Sequence, residues 1–432
     1  MSTPTKRVAF HTLGCKLNFS ETSSISRDFI EYGYEKVDFN DFADIYVINT
    51  CSVTENADKK TRKLIRRTKR INPDSYIALI GCYAQLKPDE IINLDGVNMV
   101  LGAKEKFNLL NYLQKMDLNN NNKLMVTSEI NDVKTFNPSY SHKDRTRSFL
   151  KVQDGCNYHC TFCTIPRARG SSRSGSIKQT IQIAEKIAQT DTKEIVLTGV
   201  NIGDFGTGTT GTFFDLIKKM DKLDGIERIR ISSIEPNLLS DDIIEFCAMS
   251  EKFMPHFHIP LQSGSNKILR SMGRRYKKSD FLNRINKIKS LITDVCIGVD
   301  VIVGFPSETE EDFMETYNFI DQLDISYLHV FTYSERQNTK ALKLNPIIPK
   351  NKRAHRSKRL HLLSDKKRES FYDCFVGKAK HTLFESMKNG ELVGHTDNYI
   401  KIHMEGDASL VNTIQKVNIL DKEKEYMRGY LY

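Results

Sequence analysis

Cys156-Asn-Tyr-His-Cys160-Thr-Phe-Cys163 puts three thiols within eight residues, with three and two residues between them. Independent structural cysteines are not packed so tightly. A short loop of this kind turns all three sulfurs onto one inorganic centre. The next cysteine is Cys247, so a 4Fe–4S cluster held here keeps one iron free of protein. A saturated cluster mainly passes electrons, whereas an open iron holds a substrate or cofactor. Two other readings stand beside it. One is zinc, which wants a fourth Cys or His, and His159 lies inside the loop. The other is a disulfide, which leaves one thiol over and needs an oxidising compartment.

Working outward, Ser148-Phe-Leu-Lys-Val reads as the strand that delivers the chain to this loop. Further strands are expected near 194–198, 228–232, 256–260, 295–303 and 325–331. Helices are expected between and after them, near 178–189, 213–223, 241–248, 277–292 and 310–323. Six βα units imply a partial barrel with its site at the C-terminal ends of the strands. Those ends carry Thr198-Gly199, Ser232-Ser233-Ile-Glu235-Pro, Gln262-Ser-Gly-Ser and Gly304-Phe-Pro-Ser-Glu. Polar and Gly-rich residues gathered at one rim point to a ligand rather than to packing.

Upstream, strands are expected at 7–12, 44–49, 75–80 and 99–101, with helices near 21–32, 55–71 and 106–115. Strands alternating with helices imply a parallel sheet. Cys15, Cys51 and Cys82 each follow a strand end, and in a parallel sheet those ends share one edge. Cysteines 36 and 31 residues apart are thereby able to meet, as a second three-thiol site or as three buried core cysteines. Between about 117 and 146 the periodicity fails. Leu118-Asn-Asn-Asn-Asn-Lys reads as a polar loop or hairpin tip, and Asn137-Pro-Ser-Tyr-Ser-His-Lys as a linker. Residues 352–371 read as a basic helix. Short alternating runs after it suggest a small antiparallel barrel.

The chain has 432 residues, enough for two or three domains. It has no apolar run of about eighteen residues, which argues against a membrane span. Nine cysteines without an export signal point to a reducing cytoplasm and to metal. The net charge of +10 favours a polyanion such as RNA. Two runs concentrate it. Residues 59–70 hold eight basic side chains and no acid, and 352–368 hold eight against Asp365. Residues 378–432 are balanced, with eight of each sign.

The Cys156–Cys163 run resembles the signature of radical S-adenosylmethionine (SAM) enzymes. In that family SAM chelates the open iron, and one electron cleaves it to a deoxyadenosyl radical. Leu13-Gly-Cys-Lys-Leu-Asn, Asn49-Thr-Cys-Ser-Val-Thr and Gly81-Cys-Tyr-Ala-Gln resemble the N-terminal domain of the methylthiotransferases within it. The tail resembles a TRAM domain, a small RNA-binding β-barrel. The resemblance covers essentially the whole chain and implies an α/β protein in three parts. These are a parallel-sheet methylthiotransferase domain at 1–116, a radical SAM partial barrel at 148–370 after a linker at 117–147, and a TRAM barrel at 371–432.

The resemblance also implies cofactors and roles. Cys156, Cys160 and Cys163 are assigned to the SAM-cleaving 4Fe–4S cluster. Cys15, Cys51 and Cys82 are assigned to a second 4Fe–4S cluster that carries sulfur. Thr198, Gly199, Ser233, Glu235, Gln262 and Arg274 are expected to bind SAM, with Arg274 on its carboxylate. Lys59, Arg62, Arg66, Arg67, Arg70, Arg356 and Arg359 are expected to touch tRNA phosphates. Asp154, with Gln153-Asp-Gly-Cys, Ala57-Asp-Lys-Lys and Ile259-Pro-Leu-Gln-Ser-Gly-Ser, resembles one branch of the family. That branch methylthiolates C2 of N6-threonylcarbamoyladenosine beside the tRNA anticodon, and Asp154 is expected to select the substrate. The other branches act on isopentenyladenosine in tRNA or on a ribosomal-protein aspartate. The resemblance further implies an electron donor such as flavodoxin or ferredoxin and a cytoplasmic location.

Overall fold

The structure, a computed structural model, describes residues 5–51, 55–116, 122–142 and 146–432. The polar run at 118–121 lies outside them. The N-terminal half is built on a six-stranded, all-parallel sheet. Its central strands, Ile45–Thr50 and Tyr76–Gly81, are buried along their whole length. Both faces of a parallel sheet are covered by crossover helices, so its strands are apolar without alternation. Tyr46 and Ile48 accordingly join one core cluster, and Ile45 and Val47 the other.

Two elements depart from expectation. The first helix runs Lys16–Glu31 and starts on Cys15, five residues before the expected start. The buried residues of its first turns are mostly polar (Asn18, Ser20, Glu21, Thr22, Ser23), which hid its start from an apolar-periodicity reading. The expected linker supplies two strands. Leu124–Val126 extends the first sheet in parallel, and Ser139–Tyr140 pairs antiparallel with Arg147–Lys151. Cys82 follows its strand end as expected and opens the short helix Cys82–Leu86.

The central part carries the six expected strands: Arg147–Lys151, Glu194–Thr198, Arg228–Ile231, His256–Gln262, Cys296–Val303 and Tyr327–Thr332. They form two sheets joined by single parallel bridges, Ile229 to Phe253 and Ser233 to His258. The result is an open barrel around one large apolar core. The long helix Lys350–Asp373 then leads into a closed five-stranded barrel, Ala379–Leu431. The expectation of a purely antiparallel barrel is corrected at one seam: Lys401–Glu405 runs parallel to Met427–Leu431.

The small barrel plugs the N-terminal end of the open one. Arg228 donates to the carbonyls of His381 (2.8 Å) and His395 (3.2 Å). Arg230 donates to those of Thr396 and Asp397, both at 2.8 Å. Among the described residues no helix is long and apolar enough to cross a membrane.

Candidate active site

Each cysteine of the first triplet sits where a strand ends. Gly14, at φ 108°, precedes Cys15, and a Cβ there would lie 2.9 Å from Cys51 Cβ and 3.1 Å from its sulfur. Cys82 in turn lies in the electrostatic field of Cys15. The three loops are tied together by amides and a hydroxyl. Asn18 Nδ2 donates to the carbonyls of Leu13 (3.0 Å) and Thr50 (3.2 Å). Asn49 Nδ2 donates to the Asn18 carbonyl at 3.0 Å, and Thr50 Oγ1 to that of Ile80 at 2.6 Å. The sheet thus brings together cysteines that the sequence keeps apart.

The second triplet is held by its own loop. The backbone N–H groups of Tyr158 and Ile165 donate to the sulfurs of Cys156 (3.3 Å) and Cys163 (3.5 Å). Arg274 Nη1 donates to Cys160 Sγ at 3.2 Å. Such donors stabilise thiolates that bind a metal cluster. Gly155, at φ 70°, turns the chain into the loop, and a Cβ there would lie 2.0 Å from the Ser171 carbonyl oxygen. Gln153 fastens the loop to the barrel rim, its Oε1 accepting from the N–H groups of Val200 (2.9 Å) and Asn201 (2.8 Å). Burial pushes the thiols of Cys156 and Cys163 up to about 12, so only a cation would hold them as thiolates. His159 is exposed while Cys160 is buried, which does not favour the zinc reading. Of the remaining cysteines, Cys247 and Cys296 are core residues and Cys374 is exposed.

A buried ionic network joins the two triplets. Arg169, on the short helix after Cys163, pairs with Glu21 (3.1 Å) and Asp154 (2.9 Å) and lies in the field of Cys82 and Cys15. Lys106 (2.6 Å) and Lys151 (2.8 Å) also bind Glu21. Lys151 and Arg173, each at 2.9 Å, also bind Asp154. Burial works to raise both carboxyls, but the surrounding cations outweigh it and hold them below the usual range. Four cations thus face two carboxylates. Thiolates beside Arg169 would supply the balancing charge, so the donor set fits an anionic iron–sulfur cluster.

The network corrects one expectation. Asp154 is 3% exposed and fully engaged by Lys151, Arg169 and Arg173. Its carboxylate is spent on Arg173 and on Lys151 and Arg169, the two cations that also reach Glu21 of the N-terminal half, and is not presented to a substrate.

Of the residues expected at SAM, Thr198, Gly199 and Ser233 line a cavity of about 610 Å³. Gln262, at φ 67° on a β-bulge, lines a smaller one of about 180 Å³ with Cys163, and its Oε1 is buried without a partner. Glu235 and Arg274 pair with each other, and Arg274 Nε donates to the Tyr276 hydroxyl at 3.1 Å.

The larger cavity runs from Cys15 down the open barrel to Tyr399 of the small one. Tyr399, at φ 67°, stacks on His256 at 4.2 Å between ring centroids. Lys16 enters from beside Cys15 and is open to water in the cavity. Lys16 and Tyr399 went unassigned in the sequence because only the packing of three parts brings them together.

The basic runs part company. On Glu55–Ile71, Lys59, Arg62, Arg66, Arg67 and Arg70 are exposed, with Arg62 paired to Glu90 at 2.7 Å. On Lys350–Asp373, Arg356 is 3% exposed and pairs with Glu308 (2.7 Å) and Glu310 (2.9 Å). Arg359 pairs with Glu310 and lies over the rings of Phe313 and Tyr317. Phosphate contact is corrected for Arg356, which is buried and clamps the helix to the open barrel; Arg359 is half-buried beside it.

Comparison with known proteins agrees with this geometry. A model described as an uncharacterized protein family, UPF0004, matches residues 7–102, and one described as the radical SAM superfamily matches 150–320. The chain is 41% identical to the threonylcarbamoyladenosine tRNA methylthiotransferase MtaB of Bacillus subtilis, over 98% of this chain and 95% of that protein. Identity to the MtaB of Aquifex aeolicus is also 41%, over 93% and 97%. Identity to the tRNA-2-methylthio-N(6)-dimethylallyladenosine synthase of Acetivibrio thermocellus is 31%, over 96% and 88%. The solved radical SAM methyltransferase TsrM of Kitasatospora setae shares the fold, with TM-score 0.56 at 10% identity over 76% of this chain and 73% of that one. With two three-thiol sites on such a fold, the chain belongs to the methylthiotransferase family of radical SAM enzymes, whose cofactors are two 4Fe–4S clusters and SAM.

Proposed function

We propose that the protein methylthiolates C2 of N6-threonylcarbamoyladenosine beside the anticodon of tRNA. The observation that carries this is a single cavity reaching from Cys15 of one triplet to Thr198, Gly199 and Ser233 on the rim of the barrel that bears the other. An adenine seated there lies between Cys15 and the rim assigned to SAM. The C2–H bond is strong and not acidic, so acid–base groups alone do not activate it. When bound, SAM and its cluster supply hydrogen abstraction, and the cluster at Cys15, Cys51 and Cys82 supplies the sulfur. The residues position the partners. Arg274 and Gln153 fix the Cys156–Cys163 loop against the barrel. Arg169 fixes that loop against the helix carrying Asn18 and Glu21. Gln262, Glu235 and the Thr198–Gly199 rim take SAM. The identity of 41% to proteins named for threonylcarbamoyladenosine, against 31% for a dimethylallyladenosine synthase, supports the substrate.

The same reading divides the chain at 1–116, 117–147, 148–370 and 371–432, with the last a TRAM barrel. It assigns tRNA phosphates to the exposed face of Glu55–Ile71. It places the enzyme in the cytoplasm with a flavodoxin or ferredoxin donor. Mass spectrometry of tRNA nucleosides from a deletion strain tests it. The 2-methylthio form of N6-threonylcarbamoyladenosine should vanish while the methylthiolated isopentenyl form persists. The reverse pattern would move the enzyme to the other branch.

A further inference from the structure

The end of the large cavity opposite its SAM rim is crowded with cations. Lys16, Arg147 and Arg230 all line it. The two arginines are committed to protein partners. Arg230 Nε pairs with Glu194 at 2.8 Å, and its terminal nitrogens bind two carbonyls of the small barrel. Arg147 pairs with Glu385 at 3.0 Å and leans on the same Glu194 at 3.7 Å. Glu385 is further shared with His395 at 2.6 Å. Lys16 alone of the three has neither an ion pair nor a hydrogen bond among the described residues. Asp300, the one carboxylate lining the cavity, is engaged by His258 at 2.7 Å. The cavity therefore presents a free ammonium at the end of a flexible stem, next to Cys15. Ser232 Oγ and His256 Nδ1, also on its wall, are buried without partners.

We infer that Lys16 is the residue that selects the substrate, by receiving the carboxylate of the N6-threonylcarbamoyl group. This rests on the proposed substrate and goes beyond it by naming the reader. The chemistry discriminates sharply. The threonylcarbamoyl group ends in a carboxylate, with a hydroxyl and urea N–H groups nearby, whereas a dimethylallyl group is wholly apolar. A lysine that faces the cavity without a counter-ion pairs with the first, whereas the second offers its ammonium no partner and displaces its water. Ser232 and His256 offer hydrogen bonds to the polar atoms of the same group. Because Lys16 follows Cys15 directly, the residue that reads the substituent also fixes where the base lies relative to the first triplet.

The test is a double-mutant cycle on binding, read by titration of the reconstituted holoenzyme with anticodon stem-loops. The loops carry N6-threonylcarbamoyladenosine as the free acid, the same group as its carboxamide, or unmodified adenosine. Wild type should bind the acid about 30-fold more tightly than the amide, within the range expected for a charge-assisted hydrogen bond. Lys16→Gln should bind acid and amide alike, and Lys16→Arg should keep most of the preference. Iron content equal to wild type establishes that each variant is folded and loaded. An acid–amide ratio that survives Lys16→Gln intact overturns the assignment. A wild type that prefers the modified loop but ignores the acid–amide change overturns carboxylate recognition while leaving the substrate standing. A wild type indifferent to modification overturns the substrate reading itself.

Discussion

The two three-thiol sites are built on opposite principles. Cys156, Cys160 and Cys163 come from eight consecutive residues, and backbone groups of their own loop address two of the sulfurs. Cys15, Cys51 and Cys82 come from three strand ends, 36 and 31 residues apart. They meet only because the sheet is in register and Asn18, Asn49 and Thr50 cross-tie the loops. The contiguous site is a local structure, whereas the assembled one is a property of the whole N-terminal fold. The assembled site also leans on its neighbour, since Arg169 reaches it from the other half.

The largest effects separate the two sites by function. Replacing Cys156, Cys160 and Cys163 by Ala should remove about half the iron of the anaerobically reconstituted protein and all SAM cleavage. Replacing Cys15, Cys51 and Cys82 by Ala should remove the other half and leave reductive cleavage of SAM to deoxyadenosine. That second variant should form no methylthiolated nucleoside. Circular dichroism and SAM binding must first show that both variants are folded, because cluster ligation contributes folding energy. A folded N-terminal variant that still methylthiolates tRNA would sink the sulfur-carrying role.

Next in size is the network between the sites. Glu21→Gln leaves Lys106, Lys151 and Arg169 around a neutral amide. Removing one partner of a buried ion cluster costs about 3–5 kcal/mol. Chemical denaturation of the holoprotein reads it, and iron should leave the assembled site at lower denaturant than the contiguous one. Loss from both together would break the comparison. The network also sets an acid limit. Glu21 and Asp154 titrate below the usual carboxylate range in the folded state, against all four cations. Their contribution is therefore complete above the unfolded-state values near pH 4 and is lost as pH falls below them. Thermal unfolding followed from pH 6 to 3 should show that slope in wild type and a shallower one in Glu21→Gln.

Much of this was legible in the sequence. All six central strands, the helix Glu55–Ile71 and the strand-end position of the first three cysteines follow from periodicity and spacing. What escaped is what tertiary contact alone decides. The start of the helix Lys16–Glu31 escapes because its first turns bury Asn18, Ser20, Glu21, Thr22 and Ser23, whereas Ile25 and Phe29 mark the part that periodicity predicts. Asp154 reads as a specificity residue because it precedes the cluster, but its role depends on Lys151 and Arg169, which bind it and Glu21 at once. Lys16 stood in a quoted motif and drew no role, since nothing local shows that it ends in a cavity walled by Arg147, Arg230 and Tyr399.

The smallest expected effect concerns the two basic helices, which sequence alone could not tell apart. Both carry eight basic residues in one run. On Lys350–Asp373 the arginines at 353 and 356 are buried against carbonyls and carboxylates, with Arg353 donating to the Ile348 carbonyl at 2.7 Å. On Glu55–Ile71 the arginines at 66, 67 and 70 face water. Replacing those three by Glu should therefore change stability by only about 0.5 kcal/mol per site, the usual scale for exposed positions. The same change should weaken tRNA binding and reduce the slope of log affinity against log salt by about one per lost phosphate contact. Arg356→Gln should do the opposite. It leaves Glu308 buried without its partner, so it should cost stability while the salt slope stays at the wild-type value. An unchanged slope in the first variant would return the Glu55–Ile71 face to a merely solvated one. A reduced slope in the second would mean that the clamp also supports the tRNA surface.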